Sequence, residues 1–233
     1  MSILSLFKNN EIKLIDKRKE FSDKYSFSFE SKSPLSWKAG QHGLFNFKGE
    51  KLNRGNSRMF SVASSPYEKI ITIGTKIGEN PSGFKAKLKS MEIGESIFLR
   101  GPFGGFFISN DNKSIAMIAG GIGITPMRAI LKDLEYKDTK GKAKLFYVDS
   151  KREYVFKDEL DKISNNNPKI NIIYLKDRKD LEENILDYIK KHKNNSLYFI
   201  SGNPNMVKEI RLKLKDNEIK RKNIINDSFR GYK

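Results

Sequence analysis

The chain has 233 residues, of which 37% are hydrophobic and 11% aromatic, enough apolar material for one large or two small folded domains. It has no cysteine and two histidines, which excludes disulfides, thiolate nucleophiles and cysteine- or histidine-rich metal sites, so no metal centre is expected. The net charge of +17 is spread over both halves. Solvated surface lysines explain this charge as well as an acidic partner does.

Two further classes of protein are not indicated. The longest uncharged stretch, Ser114 to Met127, is shorter than the span of about 20 apolar residues that crosses a bilayer, and no signal peptide is visible. We therefore expect no transmembrane segment and a cytoplasmic location. The chain has no helix-turn-helix, zinc-finger or ribonucleoprotein motif, so nucleic acid is not an expected partner.

The first part of the chain reads as strands. Tyr25, Phe27 and Phe29 alternate with polar residues, which is the period of a half-buried strand. The same period recurs at two later pairs, Phe45 with Phe47 and Ile71 with Ile73. Short clusters of Gly, Pro and Ser separate these runs, which favours a small antiparallel barrel or sandwich.

One helix interrupts this strand-rich part. Phe84, Leu88 and Met91 are spaced as one helical face, and Ser82 is placed to cap the helix.

From Ser114 onward, strands and helices alternate, which predicts a parallel sheet covered by helices on both faces. The predicted strands are Ile115–Ala119, Lys144–Asp149, Ile170–Leu175, Leu197–Ser201 and Asn223–Asp227. Apolar helical faces are centred on Met127–Leu134, Leu181–Ile189 and Met206–Leu214. A polar cluster at Ser109–Asn112 places the domain boundary there, giving domains 1–109 and 110–233.

A glycine-rich turn follows the first parallel strand. Gly120 to Gly123 lead into a helix that Thr125 is placed to cap, with Pro126 in its first turn. The backbone amide groups at such a helix start form a site for a diphosphate, because glycines have no side chain that would keep the diphosphate away from the backbone. The pattern G-x-G-x-x-P departs from the dinucleotide fingerprint, so a tight turn that binds nothing is the alternative.

Six motifs in order give the chain a family resemblance. They are Arg58-x-Phe60-Ser61, Ser82-Gly83-Phe84-Lys85, Gly101-Pro102-Phe103-Gly104-Gly105-Phe106, Gly120-Gly121-Ile122-Gly123-Ile124-Thr125-Pro126, Ser201-Gly202-Asn203-Pro204-Asn205-Met206 and Asp227-Ser228-Phe229-Arg230-Gly231-Tyr232. Together they resemble the ferredoxin–NADP reductase superfamily of FAD-dependent oxidoreductases over almost the whole chain. The resemblance implies an antiparallel six-stranded β-barrel that holds FAD, followed by an α/β domain whose five-stranded parallel sheet holds NAD(P)H.

The resemblance also implies an FAD site in the first domain. Arg58 would bind the diphosphate, Phe60 would stack on the flavin, and Ser61 would bond near flavin N5 as a candidate catalytic residue. The other residues expected at this site are Met59, Thr75, Lys76, Ser82, Gly83 and Phe84. A terminal aromatic, either Phe229 or Tyr232, would cover the flavin.

The second domain is expected, by the same resemblance, to bind the nicotinamide nucleotide. Its diphosphate would lie on Gly121, Gly123, Thr125 and Pro126, and its nicotinamide beside Gly202, Asn203, Pro204 and Met206. Ser201 stands where many relatives place a cysteine close to the nicotinamide, and it is the second candidate catalytic residue.

The choice of nucleotide depends on the end of the second parallel strand. Asp149 could accept a hydrogen bond from a ribose hydroxyl, which favours NADH. Ser150, Lys151 and Arg152 lie just past it, where a 2′-phosphate would be, and could bind it. Of the two nucleotides, NADPH is therefore the one expected.

The function expected from the resemblance is that of an NAD(P)H-dependent flavoprotein reductase. Hydride would pass to the flavin, and single electrons would pass to a separate acceptor, with no acid–base pair from the protein. The net charge favours a small acidic carrier such as a ferredoxin or flavodoxin. The alternatives are a reductase of flavin, ferric chelates or another small molecule, and an electron-transfer subunit of a larger complex.

Overall fold

A computed structural model describes residues 9–109, 113–137 and 141–228. The chain divides into two compact units, Met1–Phe107 and Ile108–Lys233. None of the helices in the part of the chain that the structure describes has the length and apolar composition needed to cross a membrane.

The first unit is a six-stranded antiparallel sheet. Its strands are β1 (Asn9–Lys19), β2 (Lys24–Ser31), β3 (His42–Asn46), β4 (Ser57–Ser61), β5 (Ile71–Lys76) and β6 (Ser96–Phe103), and its helix is α1 (Gly83–Ser90). The spatial order is β4-β3-β6-β1-β2-β5, and a bridge between Val62 and Ile73 joins the two edges at one end. The sheet therefore curls into a partly closed barrel, as the resemblance implied.

The alternating aromatics fill the interior of this barrel. Phe27, Phe29 and Phe45 are fully buried there, together with Phe84 from α1. Ser82 caps α1 as predicted, since its hydroxyl accepts a hydrogen bond from the Lys85 amide at 3.4 Å.

The second unit is a five-stranded parallel sheet flanked by helices. Its strands are β7 (Ser114–Gly120), β8 (Ala143–Val148), β9 (Ile170–Leu175), β10 (Ser196–Gly202) and β11 (Ile224–Ser228). Its helices are α2 (Ile124–Lys137), α3 (Lys157–Asn166), α4 (Arg178–His192) and α5 (Pro204–Asp216). The five predicted strands are all confirmed, to within a few residues at their ends.

The strand order in this sheet is β11-β10-β7-β8-β9. The chain starts at β7 in the middle, adds β8 and β9 on one side, and then returns to place β10 and β11 on the other. The strand order therefore reverses at β7, and in open α/β sheets ligands bind beyond the carboxyl ends of the strands at such a switch point.

Candidate functional site

The glycine-rich turn lies at the carboxyl end of β7. Gly121–Gly123 form one turn of 3-10 helix that runs directly into α2, and Gly121 has a φ of 54°, which favours glycine. The expectation that Thr125 caps the helix is wrong. Helical backbone begins before Thr125, and its hydroxyl donates back to the Ile122 carbonyl at 2.7 Å. Pro126 lies in the first turn of α2 as predicted.

Gly123 brings this turn against the end of β10. A Cβ on Gly123 would lie 2.3 Å from the Ser201 carbonyl oxygen and 2.7 Å from the Gly202 Cα, distances that no real side chain tolerates. Only glycine allows the two backbones to approach this closely. The predicted residues of the two motifs therefore meet at the switch point.

The side chain of Met206 packs into the same corner. A Cβ on Gly120 would lie 2.6 Å from its sulfur, and one on Gly202 would lie 2.9 Å from its methyl carbon. Asn203 caps α5 by accepting a hydrogen bond from the Asn205 amide at 2.9 Å, and Pro204 begins the helix. The start of α5 is thus fixed beside the glycine-rich turn that precedes α2.

Ser201 carries a polar group without a partner at this corner. Its side chain is fully buried, and its hydroxyl oxygen makes no hydrogen bond to any described residue. A buried unsatisfied hydroxyl is costly, and such groups often mark a place where a ligand supplies the missing partner. This arrangement fits a bound nucleotide that supplies the missing hydrogen-bond partner.

Asp149 follows β8 and closes the turn after it. One carboxylate oxygen accepts hydrogen bonds from the amides of Lys151 at 2.9 Å and Glu153 at 3.2 Å. The other oxygen lies 3.8 Å from the position of a Cβ on Gly121. The carboxylate is therefore held rigidly beside the glycine-rich turn, whereas Ser150, Lys151 and Arg152 are exposed.

In the barrel unit, two backbone carbonyls and an aromatic ring hold the Arg58 side chain in place. Its guanidinium donates to the carbonyls of Ser57 at 2.7 Å and Arg54 at 2.8 Å, and it lies 5.9 Å from the centre of the Phe84 ring. These contacts hold the cation beside the first turn of α1.

The other residues of this motif differ in exposure. Met59 is 51% exposed, whereas Ser61 is buried. Phe60 is 8% exposed and packs against Phe45 and Phe84 with ring centres 5.5 and 5.8 Å away. Phe60 thus contributes to the barrel core, and its stacking on a flavin stays a prediction.

The remaining predicted residues lie at the start of α1 and at the end of β5. The Gly83 amide donates to the Asn53 carbonyl at 3.1 Å, so in this conformation a loop already uses that donor. Thr75 is buried on β5, and the Lys76 ammonium pairs with Asp23 at 3.0 Å. The predicted role of the Ser82, Gly83 and Phe84 amides in binding a diphosphate stays a prediction.

Lys85 is a further candidate binding residue, which the sequence patterns did not indicate. Its ammonium donates to the Lys76 carbonyl at 2.7 Å. Burial, followed by the charges of Arg58 and Lys76, lowers the pKa of Lys85. Such crowding of cations at a helix start fits a bound anion, which would relieve their repulsion. The signal in the sequence was its place three residues after the Ser82 cap.

The last two predicted residues, Phe229 and Tyr232, lie outside the described residues. The role of one of these two aromatics over the flavin stays a prediction.

Residues 117–212 match the protein family described as the oxidoreductase NAD-binding domain. The match runs from β7 to α5 and includes the switch point. Over 208 residues the chain is 29% identical to one of the subunits of the Na(+)-translocating NADH-quinone reductase of Haemophilus influenzae. That alignment covers 78% of this chain and 50% of the relative, so the chain spans about half the length of the curated relatives it matches.

Two solved structures share the fold over nearly their whole length. Ferredoxin-NADP+ reductase from Plasmodium falciparum superposes with a TM-score of 0.80 at 20% identity, covering 97% of this chain and 99% of that one. The cytochrome b5 reductase domain of Ulva prolifera nitrate reductase superposes with a TM-score of 0.78 at 20% identity, covering 94% and 97%. These similarities establish the two-unit fold.

Proposed function

We propose that this chain, which belongs to the ferredoxin–NADP reductase superfamily, binds FAD on its barrel unit and transfers electrons from NAD(P)H to a separate acceptor. The observation that carries the proposal is the switch point of the parallel sheet. There the glycine-rich turn before α2 meets the end of β10 and Met206 of α5, and the buried Ser201 hydroxyl has no described partner. A nicotinamide carboxamide is a suitable partner for that hydroxyl.

The diphosphate of the nucleotide would lie on the glycine-rich turn. The backbone at Gly121 and Gly123 carries no side chain, and the start of α2 presents amide groups with the positive end of the helix dipole. Thr125 and Pro126 shape this first turn. The chain's own contribution is to bind and orient the nucleotide, with Ser201 setting the angle of its reactive ring.

The FAD site is supported by the cations at the start of α1. The charge of Arg58 contributes to the lowered pKa of Lys85, and an anionic diphosphate fits these two cations. FAD, when bound, accepts a hydride and releases electrons one at a time. The residues of the barrel position it and limit the access of water, and none is required to transfer a proton.

We propose NADH as the nucleotide, in place of the NADPH that the exposed donors favoured. The Asp149 carboxylate is nearly buried and held by two amides beside Gly121. A fixed negative charge there accepts a hydrogen bond from a ribose hydroxyl and repels a 2′-phosphate. The relatives named as NADH-quinone reductase subunits agree with this choice.

The acceptor is proposed to be a small acidic electron carrier, because the chain has a net charge of +17. A second candidate is an electron-transfer subunit of a larger complex, which the name of the curated relatives favours. Because reduced nicotinamide nucleotides are supplied inside the cell, we also propose a cytoplasmic location.

The proposal is tested with FAD-loaded protein, NADH, and either an acidic ferredoxin or flavodoxin or the small acceptor ferricyanide. We expect reduction of the carrier to fall steeply as salt is added, because screening weakens attraction between charged surfaces. Reduction of ferricyanide serves as the control for the site itself. A carrier rate that does not change with salt contradicts the acidic-carrier proposal, and inactivity with every acceptor contradicts the reductase.

A further inference from the structure

The outer face of α5 carries a basic stripe. Lys208, Arg211, Leu212 and Lys215 are spaced at i, i+3, i+4 and i+7, so they share one helical face. The buried residues of the helix, which include Ile210 and Leu214, lie on a different face. Leu212 is 49% exposed among the three cations.

This stripe forms one wall of a groove beside the edge strand β11. The groove has a volume of about 660 Å³, and Arg221 adds a fourth cation to its rim. Ile219 and Ile224 contribute apolar surface to its lining. Ile219 is nearly buried, and Ile224 packs against the core of the α/β unit, so the groove combines an apolar floor with a cationic rim.

The four cations have no counter-ions among the residues that the structure describes. In the described ranges, none of their side chains forms an ion pair or a hydrogen bond, and no Asp or Glu lines the groove. Two other charged residues of α5 are paired, Lys213 with Glu182 and Glu209 with Arg178. The groove is therefore a place where positive charge is concentrated without compensation.

We propose that this basic groove binds an acidic, amphipathic segment of a partner protein. Carboxylates of the segment would pair with the rim, and an apolar side chain would lie on Leu212 and Ile219. A phosphate polymer or a lipid headgroup would use the cations alone and leave the apolar floor unused. A second copy of the chain, at +17, and residues 229–233, which include Arg230 and Lys233, carry the wrong charge.

This inference goes beyond the proposed function, because no residue of the groove belongs to the proposed FAD site or nucleotide site. Binding at the groove is expected without FAD or nucleotide. A failure of the groove and a failure of the reductase therefore give different results.

The test measures the fluorescence anisotropy of a labelled acidic dodecapeptide in which two leucines stand among glutamates. The variant Lys208→Glu/Arg211→Glu/Lys215→Glu should weaken binding by about tenfold or more, because attraction becomes repulsion. Leu212→Ser should weaken it by about threefold, because apolar contact is lost. These residues are exposed, so the fold is expected to survive, and circular dichroism checks this.

The matched control reverses three exposed lysines near α4, as Lys176→Glu/Lys179→Glu/Lys191→Glu, and changes the net charge by the same amount. Binding by this control should remain within about twofold of the parent protein, since these lysines lie outside the groove. Equal weakening by the control overturns the proposal. So does an unaltered affinity in Leu212→Ser, or stronger competition by an oligonucleotide or by anionic vesicles than by the unlabelled peptide. If the triple variant does not fold, Arg211→Glu alone is tested against Lys179→Glu.

Discussion

At the scale of single residues, the candidate nucleotide site depends on Gly123, which has no side chain, and on Ser201, whose hydroxyl has no described partner. Gly123 has no side chain, which lets the turn after β7 touch the backbone of Ser201. The Ser201 hydroxyl has no described hydrogen-bond partner, although it is fully buried. The spacing of glycines predicted the turn, whereas the contact across to β10 is a tertiary feature that no local pattern contains.

Ser201→Ala is expected to leave the stability of the ligand-free protein unchanged or to raise it by about 1 kcal/mol, because an unsatisfied buried hydroxyl is removed. The same variant should slow the reduction of bound flavin by NADH. Urea unfolding and anaerobic rapid mixing measure the two effects.

Ser196→Ala is the matched control for this prediction. Ser196 lies on the same strand and is equally buried, but its hydroxyl bonds to the Tyr188 hydroxyl at 3.0 Å. It should lose about 1 kcal/mol of stability. Destabilisation of Ser201→Ala to the same extent would show that its hydroxyl has a partner in the protein.

Gly123→Ala is expected to destabilise the α/β unit by about 2 to 3 kcal/mol and to abolish nucleotide binding, because the new Cβ overlaps the Ser201 carbonyl. Gly105→Ala is the control, since a Cβ there meets nothing within 4 Å. Thermal unfolding and NADH titration compare the two variants. Similar behaviour of both would contradict the close contact.

Asp149→Asn is expected to lower the ratio of kcat/KM for NADH to that for NADPH by about tenfold, because a charged acceptor for the ribose hydroxyl is removed. Asparagine keeps the oxygen that accepts from the Lys151 and Glu153 amides, so the turn should survive. An unchanged ratio, or a parent protein that prefers NADPH, refutes the assignment. In that case Arg152→Glu should raise the KM for NADPH far more than that for NADH.

At the scale of helices and strands, the elements that sequence patterns missed are those with few buried apolar residues. The strand β1 buries Ile12 and Leu14 among charged residues, and a bulge between Leu14 and Asp16 breaks its alternation. The helix α3 buries only Leu160 and Ile163, so it lacks the longer stripe by which α4 and α5 were predicted.

The last turn of α4 introduces a dependence of stability on pH. His192 stacks on Tyr188 with ring centres 4.1 Å apart, and burial, then Lys144 and Lys191, lower its pKa below 6.5. Since the unfolded chain binds the proton more readily, this contribution to stability is fully present above pH 6.5 and is lost as the pH falls through the folded pKa.

His192→Gln is therefore expected to reduce the loss of stability between about pH 7.5 and about pH 5.5. Urea unfolding at the two values, for the parent and the variant, measures the difference. Parallel loss in both proteins would mean that His192 does not contribute.

At the scale of the whole molecule, the first part of the sequence alternates apolar and polar residues, and the second part alternates predicted strands and helices. This change predicted both the antiparallel sheet of the first unit and the parallel sheet of the second. The order of strands within each sheet was not predicted, because pairing depends on contacts between residues far apart in sequence. The basic groove beside β11 was not predicted at all. Its residues come from α5, from the turn after it and from an edge strand, so their cluster exists only after folding.

Above all, we propose that this chain transfers electrons from a reduced nicotinamide nucleotide to a flavin that is bound to the same polypeptide. An anaerobic titration of FAD-loaded protein with NADH, followed by the visible absorbance of the flavin, tests it most directly. We expect one equivalent of NADH to bleach the yellow colour, and Gly123→Ala to retain the colour after NADH is added. A protein that fails to retain FAD, or whose bound flavin stays oxidised with excess NADH and with excess NADPH, would contradict the claim.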